Sequence, residues 1–115
     1  MLDHIGLFAP ASLFAETLAF YDAALEPLGY KRRDFIPGQI VGYAMVHNTF
    51  DLWIHKKDES PNAPIHLAFG AENHSQVDEF HHNGLRAGGI DNGKPGIRKM
   101  YHPNYYAAFL KDPCG

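Results

Sequence analysis

With a single cysteine, Cys114, the chain can form no internal disulfide, which sets it apart from small secreted disulfide scaffolds and points to a reducing, intracellular setting. Long apolar runs are also missing. A bilayer span needs about 20 consecutive apolar residues, and Pro10, Ser12 and Glu16 interrupt the longest candidate. Met1-Leu2-Asp3 lacks the basic start and apolar core of a secretion signal. These absences predict a soluble cytoplasmic protein with no membrane partner. An excess of basic charge is absent as well: 10 Lys and Arg against 13 Asp and Glu give a formal charge of −3, so nucleic acid is not an expected partner. Lys31-Arg32-Arg33 is the only basic run. It reads as a solvated strand end, because phosphate binding needs a wider basic surface.

Activated nucleophiles are equally scarce. Cys114 has no fixed histidine partner and sits at a frayed end. Ser12, Ser60 and Ser75 occupy loop or cap contexts without a nucleophile elbow. The glycine-rich 84–96 region has neither the dinucleotide fingerprint nor the phosphate-loop ending.

What the chain does have is a pattern of short strands and two helices, in 115 residues that are 45% apolar, enough for one domain. Residues 3–9 alternate, with Ile5 and Leu7 on one face and His4, Gly6 and Phe8 on the other. Ser12 offers a helix cap. Phe14, Leu18, Tyr21, Leu25 and Leu28 then follow at helical spacing, up to Gly29. Strands are expected at 30–34, 40–46 and 50–55, with Pro37-Gly38 and 47–49 as turns. The last strand should show Asp51, Trp53 and His55 on one face and Phe50, Leu52 and Ile54 on the other. Residues 56–64, charged and carrying two prolines, read as a linker.

The pattern then restarts. Ile65-His66-Leu67-Ala68-Phe69 is a short apolar run closed by Gly70-Ala71, expected as a buried strand. Ser75 should cap a second helix burying Val77, Phe80, Gly84 and Leu85, with Gly88-Gly89 at its end. Residues 91–96 read as a loop, and 97–101 and 105–111 as strands. His4 matches His66. With a two-residue gap, Phe20, Tyr21, Ala24, Leu25 and Gly29 match Phe80, His81, Gly84, Leu85 and Gly89. An internal duplication follows, with module one at about 1–60 and module two at about 61–115. Each sheet should bury one face under its helix and curve the other around a ligand.

This order of residues resembles the vicinal oxygen chelate superfamily, which includes glyoxalase I, bleomycin-resistance proteins and extradiol dioxygenases. The resemblance runs through His4-Ile5, Phe20-Tyr21, Leu28-Gly29-Tyr30, Pro64 to Phe69, Val77 to His81, Gly88-Gly89, Asn92 to Gly96, Arg98, Tyr101, Tyr105 to Phe109 and Asp112-Pro113. It implies an α+β fold of two βαβββ modules forming a half-barrel cup, the second lacking its last strand, and a homodimer. It also implies a divalent metal, Ni, Zn, Mn or Fe(II), chelating adjacent oxygens of a small substrate. His4 and His66 fall on the two histidine positions. Asp51 stands where a Glu or Gln is usual, and His55 is a weaker substitute.

The last ligand, a Glu in a strand following the Asp-Pro-x-Gly turn, is not in the sequence, which we read as truncated. Trp53, Arg98, Tyr101 and Tyr106 are the residues expected against the substrate. Two functions follow from the resemblance: a metal-dependent lyase, isomerase or ring-cleaving dioxygenase, or a metal-free binding protein of the bleomycin-resistance type. His74, His81, His82 and His102 are expected to be solvated.

Overall fold

The alternation of Ile5, Leu7 and Ala9 with Gly6 and Phe8 produces strand β1, Ile5–Pro10, in the computed structural model, which describes residues 1–58 and 64–115. A 3-10 turn, Ala11–Leu13, leads into helix α1, Phe14–Leu25. The N-cap is Leu13 and not the expected Ser12, and Leu13 itself makes no side-chain cap bond. The tight turn ahead of it shapes the helix entrance instead. Phe14, Tyr21 and Leu25 are buried as their spacing predicts, and so are Phe20, Ala24 and Thr17 between them. The buried stripe is wide because α1 packs against both its own sheet and the second helix. Gly29, at φ +94°, closes the following 3-10 turn Glu26–Leu28 in a conformation that glycine adopts without Cβ strain.

Strands β2 (Lys31–Ile36), β3 (Ile40–Val46) and β4 (Thr49–Lys57) complete the first sheet in the order β1-β4-β3-β2. β4 runs parallel to β1 and antiparallel to β3. Val41, Tyr43, Leu52 and Ile54 form the face under α1. The Tyr43 hydroxyl donates to Asp22 Oδ1 at 2.8 Å, and Arg32 pairs with Asp22 and Asp34 beside it. One strand detail departs from simple alternation. Tyr43 opposes Leu52 but Ala44 opposes Phe50, so Asp51 is the extra residue of a β-bulge. The bulge turns Phe50 away from Leu52 and onto the side of Trp53, 5.5 Å from its ring.

Lys56 and Lys57 belong to β4, so the linker begins later than the sequence indicates. Residues 59–63, including Ser60, lie outside the described residues. The expected strand at 65–69 does not form a ladder. Ile65 is 58% exposed, while Leu67 and Phe69 still lean on the core. The reason lies in the pairing rule of the first half. There β1, which the sequence matches to this run through His4 and His66, pairs only with β4, and the described residues after position 64 contain no strand in the place of β4. The run keeps its apolar alternation but is bonded to no strand edge among the described residues.

Helix α2, His74–Arg86, is capped by Asn73, whose side chain accepts the Gln76 N–H at 2.9 Å, in place of the expected Ser75. Its buried side contains Gly84 and His81, with Val77 and Phe80 half-buried, whereas Leu85 is 38% exposed. Gly84 is where the elements come closest: a Cβ there would strike Leu110 and Phe20. Residues 91–96, expected as a loop, belong to strand β5, Ile90–Ile97, which pairs antiparallel with β6, Tyr106–Lys111. Register shifts at Asp91/Gly93 and Gly93/Gly96 take Pro95 out of the ladder, so its missing N–H costs no strand bond. Residues 98–104 form turns, not the expected strand, with Tyr101 N–H bonded to Arg98 O.

Candidate functional site

The face of the first sheet turned away from α1 carries a row of cross-strand neighbours: Gly6, Trp53, Gly42 and Arg33. Trp53 therefore stands between two glycines. On the Gly42 side the space is filled, since a Cβ there would lie 2.8 Å from Phe50 and 3.2 Å from Phe35. On the Gly6 side nothing among the described residues lies within 4 Å of the corresponding position. The result is a notch beside the indole. Phe35 packs against Trp53 with centroids 4.7 Å apart, Phe50 joins both rings, and Phe8 meets His55 at 5.5 Å. Arg33 lies over Phe35 at 4.7 Å and Lys57 over Phe8 at 5.3 Å, geometries in which a cation is attracted to a ring face.

The expected metal ligands are not gathered at one point. His4 Nδ1 is 2.7 Å from Asp3 Oδ1 at the exposed start of β1. Asp51, in the bulge, accepts from the Tyr30 hydroxyl at 3.2 Å. Burial, followed by the charge and hydrogen bond of Asp51, pushes Tyr30 up to about 12. His66 is exposed and its ring sits 6.0 Å from Phe109. Among the described residues no three His, Cys, Asp or Glu side chains are placed to hold a metal ion. His4, Asp51 and His66 do not make a ligand set on their own.

The four residues expected against a substrate divide between places. Trp53 is on the open face of the first sheet. Arg98 lies over Phe109 at 5.4 Å and donates to the Lys94 carbonyl at 2.6 Å, so Arg98, Phe109 and His66 come together in the second half. Tyr101 is on an exposed turn, edge-on to Tyr105. Tyr106 belongs to the α2 side: it stacks on His74 at 3.8 Å and donates to Asp78 at 2.6 Å. That bond holds its hydroxyl above the usual tyrosine range.

A cavity of about 930 Å³ joins the halves, lined by Gly6 and Phe8 of β1, His66 and Phe69 of the unpaired run, and Tyr106 and Phe109 of β6. It also reaches core residues Phe20 and Phe80. In the first sheet β4 lies between β1 and β3; here the unpaired run and β6 face each other with no described strand between them. Much of the volume is thus a strand-wide gap and not a shaped ligand pocket. The fully built surface is the open face of β1–β4, whose Gly6 notch opens into the cavity.

Several residues of this face carried too little weight in the sequence. Alternation places Phe8 with Gly6, but Arg33 and Phe35 stand in a strand whose two faces are both exposed, which conceals their partnership with Trp53. Phe50 was hidden by the bulge. His81, expected to be solvated, is buried, with Nε2 2.9 Å from Asp91 Oδ1. Because a carboxylate only accepts, that nitrogen carries the proton. The bond, then the Gly93 N–H, hold Asp91 below the usual carboxylate range.

No family model matches the sequence, and comparison with curated proteins gives no match. Solved structures do. A glyoxalase/bleomycin resistance protein from Albidiferax ferrireducens is 24% identical with a TM-score of 0.73, over 96% of this chain and 89% of its own. A putative glyoxalase from Bacillus halodurans is 25% identical with a TM-score of 0.67, over 99% and 89%. A glyoxalase/bleomycin resistance protein/dioxygenase family enzyme from Burkholderia phytofirmans is 19% identical with a TM-score of 0.69, over 97% and 90%. The chain has the α+β fold of the vicinal oxygen chelate superfamily. Within that class it is similar to small glyoxalase and bleomycin-resistance proteins.

Proposed function

We propose that the protein binds a small organic molecule against the open face of β1–β4, in the manner of the metal-free, bleomycin-resistance type of this fold. The observation that supports this reading most directly is the Gly6 notch beside Trp53, framed by aromatic rings and open to the central cavity. Flat apolar walls with few polar groups suit sequestration of an aromatic compound. The test is a thermal-shift and dialysis screen of small aromatic molecules, with Trp53→Leu as control. Saturable binding that the variant loses supports the reading. Binding that the variant retains refutes it.

A second reading, a metal-dependent lyase, isomerase or ring-cleaving dioxygenase, rests on His4 and His66 at matched repeat positions. It requires ligands beyond those the described residues bring together. Stoichiometric Ni, Zn, Mn or Fe(II) after supplementation, lost in His4→Ala and His66→Ala, would put this reading first. Substrate contacts by Arg98, Tyr101 and Tyr106 belong to it.

We further infer a homodimer. β2 is an edge strand, and the exposed Phe35, Ile36, Met45 and Val46 lie on it and its neighbour. Light scattering at micromolar concentration tests this. A cytoplasmic location suits the lone thiol of Cys114, and no helix among the described residues is long and apolar enough to cross a membrane. Fractionation of expressing cells checks it.

A further inference from the structure

We propose that the molecule bound on this face is an aromatic anion, with a planar ring set over Gly6 beside Trp53 and a carboxylate answered by Lys57. The inference rests on the binding reading above and adds the charge and shape of the ligand. Shape comes from the notch. Among the described residues Gly6 leaves open space, Trp53 forms one wall, and Phe8 with His55 forms the next row of the sheet. A flat ring entering there meets aromatic faces and edges, the arrangement in which such pairs gain most.

Charge comes from the composition of the sheet, in which alternation puts Lys31, Arg33 and Lys57 on the face of Trp53 and Arg32 and Lys56 on the α1 side. Strands β1–β4 contain five basic side chains, Lys31, Arg32, Arg33, Lys56 and Lys57, and two carboxylates, Asp34 and Asp51. Asp34 is taken up with Arg32, which also pairs with Asp22 of α1. Asp51 accepts the Tyr30 hydroxyl. Neither carboxylate answers Arg33 or Lys57, whose heads lie against Phe35 and Phe8. The two cations bracket the aromatic floor from opposite sides, and Lys57, its head over Phe8 in the row between, is the one on the Gly6 side of Trp53. An aromatic cation would be repelled there. A neutral ring would stack but leave Lys57 unanswered.

Trp53 is the sole tryptophan, so its emission reports this site alone. The experiment titrates the full chain with 4-nitrobenzoate, 4-nitrobenzyl alcohol and 4-nitrobenzylammonium, correcting for absorbance, and repeats the series with Lys57→Gln. Circular dichroism melts confirm that the variant is folded. The benzoate should quench saturably and bind about fivefold more tightly than the alcohol, an advantage of the size a single partly exposed charge pair provides. The ammonium compound should bind most weakly of the three. Lys57→Gln and added salt should erase the preference for the benzoate without weakening the alcohol. An alcohol that binds as tightly as the benzoate, or a preference unchanged in Lys57→Gln, overturns the assignment and leaves the binding reading standing. No saturable quenching by the benzoate or the alcohol overturns both.

Discussion

The Tyr21 hydroxyl donates to Asp112 Oδ2 at 2.8 Å, joining α1 of the first half to the turn after β6 across 91 positions of the chain. Burial, then the Asp112 charge and hydrogen bond, raise the Tyr21 pKa far above its ordinary value, so the phenol stays a donor at any ordinary pH. Asp112 also accepts the Cys114 N–H, which fixes the turn against α1. Tyr21→Phe should therefore cost roughly 1–3 kcal/mol, the cost of leaving a charged acceptor without its partner. Urea unfolding followed by circular dichroism measures it. A midpoint unchanged from the parent protein would show that the link contributes nothing.

Gly84 sits where α2 meets Phe20 and Leu110. Gly84→Ala improves helix propensity but drives a methyl group into both side chains, and overpacking of this kind costs roughly 1–3 kcal/mol against a propensity gain of about 1 kcal/mol. The expected outcome is a lower thermal midpoint. A raised midpoint would mean that Leu110 moves aside freely.

Asp91, bonded to His81, makes stability depend on acid. Asp91 is held below the ordinary carboxylate range in the fold, so its contribution is fully present above the unfolded value of about 3.9 and fades as pH falls through the lower folded value. Asp91→Asn should lose less stability than the parent between about pH 5 and about pH 3. Parallel acid titrations of the melting temperature check this.

Tyr30 has the opposite sign. Its folded pKa, up to about 12, exceeds the ordinary 10.0, so stability is full below the unfolded value and is lost as pH rises toward the folded one. Tyr30→Phe should flatten the loss of stability in that window, read from melting temperature and tyrosinate absorbance together. An unchanged slope would place the alkaline sensitivity elsewhere.

The first half was largely legible because its strands have one clear side. Ile5, Leu7, Leu52 and Ile54 alternate as core strands do, and the α1 stripe from Phe14 to Leu28 follows a helical period. Legibility failed where a local feature reversed the period or a partner was wanting. The Asp51 bulge reversed Phe50, and bulges at Gly93 and Gly96 made a strand look like a loop. Residues 65–69 have the composition of a strand, but a strand needs a neighbour's backbone, which local pattern does not supply. Of the residues on the open face, the place of Trp53 was legible from the alternation of its strand. Arg33, Phe35 and Lys57 were not, because their significance comes from ring contacts across strands.

A small-molecule site on the open face of β1–β4 should be visible in amide and indole NMR shifts during titration of the 15N-labelled chain with 4-nitrobenzoate. Saturable shifts should concentrate at the Trp53 indole N–H and at the amides of Gly6, Phe8 and Gly42. Shifts confined to β5, β6 and α2, or no shifts at all, would contradict it.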